Sequence, residues 1–162
     1  MLDEREPYWK LKPILPTPAD ELCVCEERPA IILCWVISDN PIRCVNCNNE
    51  VTPERLELPV ESVEDIASWA QIYGSFYNLW LDSQEYEDFA RAELSNPRSP
   101  VNERGYLLRE KLSAVAPCYY WWFQDASEES FEPLENCPRC GLRLTENFGR
   151  LVCEKCKILV AN

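Results

Sequence analysis

Cys137-Pro138-Arg139-Cys140-Gly141 and, after twelve intervening residues, Cys153-Glu154-Lys155-Cys156 decide how this chain is read. The pattern C-x2-C-x12-C-x2-C is zinc-ribbon spacing. Each C-x2-C knuckle turns backbone N–H groups toward its sulfurs, and two knuckles complete a tetrahedron of thiolates. Gly141 supplies the positive φ that follows a knuckle. Between the pairs, Leu142 and Leu144 alternate with Arg143 and Thr145, and Asn147-Phe148-Gly149 precedes Leu151 and Val152, which predicts a β-hairpin with Phe148 at its tip.

Upstream, Cys23-Val24-Cys25 and Cys44-Val45-Asn46-Cys47 form a second set, C-x-C-x18-C-x2-C. It reads as a second zinc site, with a C-x-C redox pair as the alternative. The run Pro29 to Ile37 is β-branched and apolar and predicts a buried strand between the two arms. Cys34 and Cys118 fall outside both spacings and read as core thiols. Four thiolates fill zinc's tetrahedron and leave no place for a catalytic water, so two structural zinc ions per chain are expected.

The chain has 162 residues, the length of about one domain. Ten cysteines behind an acidic start, Met1 to Glu6, predict a cytoplasmic protein whose thiols hold metal rather than disulfides. No apolar run reaches the roughly 20 residues of a membrane span. Histidine is absent, which removes Ser-His-Asp and Cys-His nucleophiles and imidazole-ligated metals. With no motif joining acid, base and nucleophile, the expectation is a protein that is not an enzyme.

Formal charge is −12, and the acid is unevenly placed. Residues 137–162 carry five basic and two acidic side chains, whereas Leu56–Ala90 and Leu112–Pro138 contain no Lys or Arg. Glu85, Glu87, Asp88, Glu128, Glu129 and Glu132 are the candidates for an acidic partner-binding surface; a merely solvated face is the plain alternative. The competing nucleic-acid contacts are Arg139, Arg143, Phe148, Arg150, Lys155 and Lys157 on the ribbon.

From Val60 to Leu81, Ile66, Trp69, Ala70, Tyr73, Phe76, Tyr77 and Trp80 recur at steps of three and four, predicting an amphipathic helix with an aromatic core face, a Ser62/Asp65 capping box and a weak point at Gly74. Further helices are expected over Ser83–Leu94 and, N-capped by Asn102, over Asn102–Val115. A buried strand, Cys118–Phe123, follows. The fold class is α+β, a three-helix middle flanked by two small β-rich four-cysteine zinc modules. Its stretches are an extended Pro-rich segment 1–22, the N-terminal module 23–59, the helical middle 60–116, and 117–162 with aromatic strand, acidic loop and ribbon, together one compact unit.

The sequence resembles an uncharacterised bacterial family of zinc-ribbon-containing proteins that carries a nucleic-acid-binding label. The carriers are Cys23-Val24-Cys25-Glu26, Ile31 to Ile37, Asn40 to Cys47, Leu79-Trp80, Leu94 to Pro97, Tyr119-Tyr120, Cys137 to Gly141 and Cys153 to Asn162, spread over most of the chain after residue 20. The resemblance implies two cysteine clusters on either side of a helical middle. The charge pattern favours a non-enzymatic module that docks its acidic face on a basic protein, such as a toxin or effector held by an immunity or antitoxin protein. Nucleic-acid binding through the ribbon is the alternative.

Overall fold

The computed structural model describes residues 6–26, 28–38, 40–127 and 129–161. Two strands, β1 (Ile31–Leu33) and β2 (Ile42–Cys44), lie between the arms of the first cysteine set. They are followed by a one-turn helix α1 (Pro53–Leu56), three longer helices α2 (Val60–Asp82), α3 (Glu87–Ser95) and α4 (Pro100–Leu112), strand β3 (Cys118–Trp121), and the ribbon strands β4 (Thr145–Asn147), β5 (Arg150–Cys153) and β6 (Ile158–Val160).

All six strands form one sheet in the order β2-β1-β3-β6-β5-β4. The central neighbours β1, β3 and β6 run parallel, and the outer pairs are antiparallel. Parallel strands cannot be joined by a tight turn, so the chain needs a long crossover between β1 and β3. The helices provide it. The two cysteine modules flank the helices along the chain, but their strands lie side by side in space, with β3 as the seam. The strand expected over Pro29–Ile37 is shorter, because Cys34 leaves the ladder and Ile37 stands in solvent.

Alternation sorts the sheet into two faces. Ile31, Leu33, Tyr120, Ile158 and Val160 point into the main core, where Ile66, Trp69 and Leu112 of the helices meet them. Ile32, Cys34, Tyr119, Val152 and Leu159 point the other way into a smaller cluster that includes Val45. Trp121 and Val36 pack against it. Within residues 6–22 the Pro-rich segment makes two single 3-10 turns, Trp9–Leu11 and Ala19–Glu21, and is tied down by fully buried Leu11 and by the Tyr8 hydroxyl donating to Leu58 O at 2.8 Å.

Helix ends differ from the sequence expectation. No capping box forms at Ser62; α2 starts at Val60 after Pro59 without a side-chain cap. The Ser83 hydroxyl accepts from Tyr86 N at 3.2 Å in a turn that delays α3 to Glu87. In α4 the N-cap is Ser99, whose Oγ accepts from Asn102 N at 3.4 Å, because Pro100 with its fixed φ suits the first helical position. Asn102 does something else. It is buried, its Nδ2 donates to Leu94 O and Asn96 O at 2.9 Å each, and its Oδ1 accepts from the Tyr120 hydroxyl at 2.9 Å. One side chain thus closes the end of α3 and ties α4 to the central strand. Close approach here also depends on Gly105, where a Cβ would come 2.4 Å from Tyr120 Cε2.

Candidate metal centres

The sulfurs of Cys23, Cys25, Cys44 and Cys47 lie within 4.8 Å of one another, and so do those of Cys137, Cys140, Cys153 and Cys156. All ten cysteines are free thiols. Cys25 Sγ is 3.9 Å from Cys44 Sγ, and Cys140 Sγ is 3.6 Å from Cys153 Sγ. A tetrahedral ion with metal–sulfur bonds of about 2.3 Å needs sulfurs about 3.8 Å apart, whereas a disulfide needs about 2 Å. Both groups could hold a metal ion.

Local backbone explains why the sulfurs converge. Backbone N–H groups of Asn46 and Cys47 face Cys44, those of Arg139 and Cys140 face Cys137, and Cys156 N donates to Cys153 Sγ at 3.4 Å. The residue after each C-x2-C knuckle turns left-handed: Asn48 at φ 61°, Gly141 at 74° and Lys157 at 54°. Gly141 and, more weakly, Asn48 announce this by residue type, whereas Lys157 does not.

Each quartet contains one thiol held low. The backbone N–H of Leu142 takes Cys140 down to about 7, helped by its neighbouring thiols. At Cys23 burial works upward, but the Cys25 N–H and the other three thiols outweigh it and lower the pKa. A thiol already tuned toward thiolate is a ready metal ligand. At the two remaining cysteines burial acts in the same upward direction and prevails, pushing Cys34 and Cys118 up to about 12.

The first quartet has a support that no spacing indicated. Arg55 on α1 sends its fork to the carbonyls of Cys23 and Cys25, fixing the C-x-C arm from thirty residues away. Thr52, the N-cap whose Oγ1 accepts from Arg55 N at 3.4 Å, positions that arginine. The only signal in the sequence is the Thr52-Pro53 helix start.

The acidic candidates fall in two places. Glu85 and Asp88 are exposed and Glu87 half-exposed around the start of α3, while Glu129 and Glu132 are exposed in the loop after β3; Glu128 lies outside the described residues. Arg91 pairs with Asp88 at 2.6 Å and with Asp125 at 2.5 Å, bringing the two acidic stretches beside each other.

The basic candidates do not assemble into one free patch. Arg150 reaches across the sheet to donate to Val45 O at 2.9 Å and Asn48 Oδ1 at 3.2 Å, linking the two cysteine modules. Arg139 lies 4.0 Å from the Tyr106 ring centroid, and Lys157 pairs with Glu154 at 2.6 Å. Phe148 is at the hairpin tip as expected, yet its ring meets Tyr119 edge-on at 5.7 Å. Arg143 and Lys155 are exposed, and among the described residues their side chains have no partner. No helix among the described residues is long and apolar enough to cross a membrane.

No family model, curated protein or solved structure matches the chain.

Proposed function

We propose that this chain is a non-enzymatic protein-binding module, held together by two structural zinc ions, that docks an acidic face on a basic protein. One observation carries the docking: Leu81, Tyr86 and Phe89 stand 60%, 58% and 56% exposed at the junction of α2 and α3, amid Asp82, Glu85, Glu87 and Asp88. Apolar anchors inside a charged rim are the anatomy of a protein interface. The rim steers a basic partner in, and the anchors hold it. A toxin or effector with a cleft built for phosphate would match this charge, which supports reading the chain as an immunity or antitoxin protein.

Zinc is the metal that four thiolates favour, and a closed tetrahedron supports a structural role without catalysis. Each four-thiolate zinc carries −2, so the loaded chain reaches about −16 and repels polyanions further. That charge, together with the engagement of Arg139, Arg150 and Lys157, weighs against nucleic acid as the partner.

The test has two parts. Elemental analysis should return two zinc ions per chain, and a zinc-free protein or a Cys23–Cys25 disulfide would overturn the metal assignment. A photocrosslinker at Tyr86, used in the source cell, should capture a basic protein. Its association, measured with the purified pair, should slow on reversing Glu85, Glu87 and Asp88 and weaken by about 2 kcal/mol or more with Tyr86→Ala. Tight binding of a single-stranded oligonucleotide at physiological salt, lost on neutralising Arg143 and Lys155, would replace this reading with the nucleic-acid one.

A further inference from the structure

A cleft of about 690 Å³ opens where β1 and β3 end, and neither the metal centres nor the acidic face uses it. Its floor is aromatic. Trp35, Tyr77, Trp80 and Phe123 form a continuous cluster, with centroid separations of 4.6 Å for Trp35–Tyr77, 5.1 Å for Tyr77–Trp80 and 4.9 Å for Trp80–Phe123. Trp35 reaches α2 because position 74 is glycine; a Cβ there would come 2.4 Å from Trp35 Nε1.

Its polar equipment is sparse and of one sign. In a chain of net charge −12, the described residues that line the cleft include one cation, Arg43, and no carboxylate. Arg43 is half-buried on β2, and its side chain has no ion-pair partner among the described residues. Ser38 Oγ is buried at the same cleft with no hydrogen-bond partner among the described residues. A guanidinium without an ion-pair partner, beside a wall of rings, matches a ligand with a flat aromatic body and one anionic group.

The position agrees with this chemistry. Residues Cys34 to Ser38 leave the carboxyl end of β1, while Trp121 ends β3, its parallel neighbour, and Phe123 and Gln124 follow beyond it. Crevices beyond the carboxyl ends of parallel strands are where α/β sheets bind nucleotides, and the volume lies within the range of small-molecule sites.

We infer that this cleft binds a mononucleotide, with the base against the Trp35–Tyr77 wall and the phosphate on Arg43. One phosphate is compatible with an acidic surface that repels a polynucleotide. The inference is independent of the docking face and of partner identity.

Calorimetric titration of the metal-replete full chain at about 150 mM salt tests it with the four ribonucleoside 5′-monophosphates, adenosine, inorganic phosphate and a short single-stranded oligonucleotide. At least one monophosphate should bind saturably, one per chain, and a purine one should exceed adenosine by about tenfold or more. Arg43→Gln should erase that advantage while leaving adenosine binding unchanged. Trp35→Leu should weaken nucleotide and nucleoside alike, and Arg143→Gln on the distant ribbon should change neither. Arg43 is half-buried and outside the core, so its variant reports binding even if Trp35→Leu does not fold. Absence of monophosphate binding at millimolar concentration, equal affinity for nucleotide and nucleoside, indifference to Arg43→Gln, or tighter binding of the oligonucleotide would each overturn the inference.

Discussion

Losing one metal ligand of the ribbon, as in Cys140→Ser, should unfold far more than the ribbon. Read along the chain, residues 137–162 look like a separable module whose damage stays local. In the sheet their last strand, β6, lies between β3 and β5, and Ile158, Leu159 and Val160 have no exposed surface. Burying each contributes about 1.5 to 3 kcal/mol, or about 5 to 9 kcal/mol for the three. Two backbone bonds add to this, Tyr120 N to Lys157 O and Trp122 N to Leu159 O, both 2.8 Å. A domain's whole stability is about 5 to 15 kcal/mol, and structural zinc is worth an apparent 10 to 16 kcal/mol or so. Detaching β6 would therefore consume most of what holds the molecule together. Hydrogen exchange followed by mass spectrometry should show protection lost in β1 and α4 together with the ribbon, in one transition, for both the variant and the chelated protein. If exchange rises only within 137–162 while β1 and α4 stay protected, the integrated sheet is not the cooperative unit and the reasoning fails.

Other substitutions test the joints described above. Asn102→Ala removes the acceptor of the Tyr120 hydroxyl and strands two carbonyls at the end of α3, which should cost about 2 to 4 kcal/mol and lower Tm by roughly 5 to 15 °C. A double-mutant cycle with Tyr120→Phe should show coupling near 1 kcal/mol, and strict additivity would refute the shared network. Gly105→Ala gains about 1 kcal/mol of helix propensity, yet the new methyl meets the buried Tyr120 ring. Overpacking of about 1 to 3 kcal/mol should win, and a raised denaturation midpoint would contradict the close approach. At Asp125, burial raises the pKa, but Ser127, Arg91 and Trp80 outweigh it and hold the carboxyl well below the usual range. The folded pKa is therefore the depressed one, so this group's stabilisation is complete above about pH 4 and is lost as pH falls further. The stability gap between wild type and Asp125→Asn should stay level from neutrality down to about pH 4 and then shrink; a gap that widens on acidification would reverse the assignment.

The cysteine quartets were legible in the sequence because a knuckle is a local object: two or three residues bring a pair of sulfurs and their N–H donors into place. The long helix α2 was legible for a similar reason, since its apolar, largely aromatic stripe repeats at the helical period from Ile66 to Trp80, about four turns. Tertiary structure decided the rest. That β1 pairs with β3 is a choice between strands more than eighty residues apart, each short and apolar, with nothing in either to name its neighbour. Asn102 and Ser99 are both good N-cap residues, and Pro100 at the first helical position, together with the buried Tyr120 hydroxyl waiting for an acceptor, assigned them different work. Arg150 was legible as a ribbon cation but not as the link to the first knuckle, and Arg55 carried no metal signature at all, because a guanidinium's role depends on which carbonyls the fold brings within its reach. The aromatic cleft likewise exists only once β1 and β3 lie parallel and Gly74 lets Trp35 onto α2, since a cavity is a property of surfaces that meet and not of any one stretch of chain.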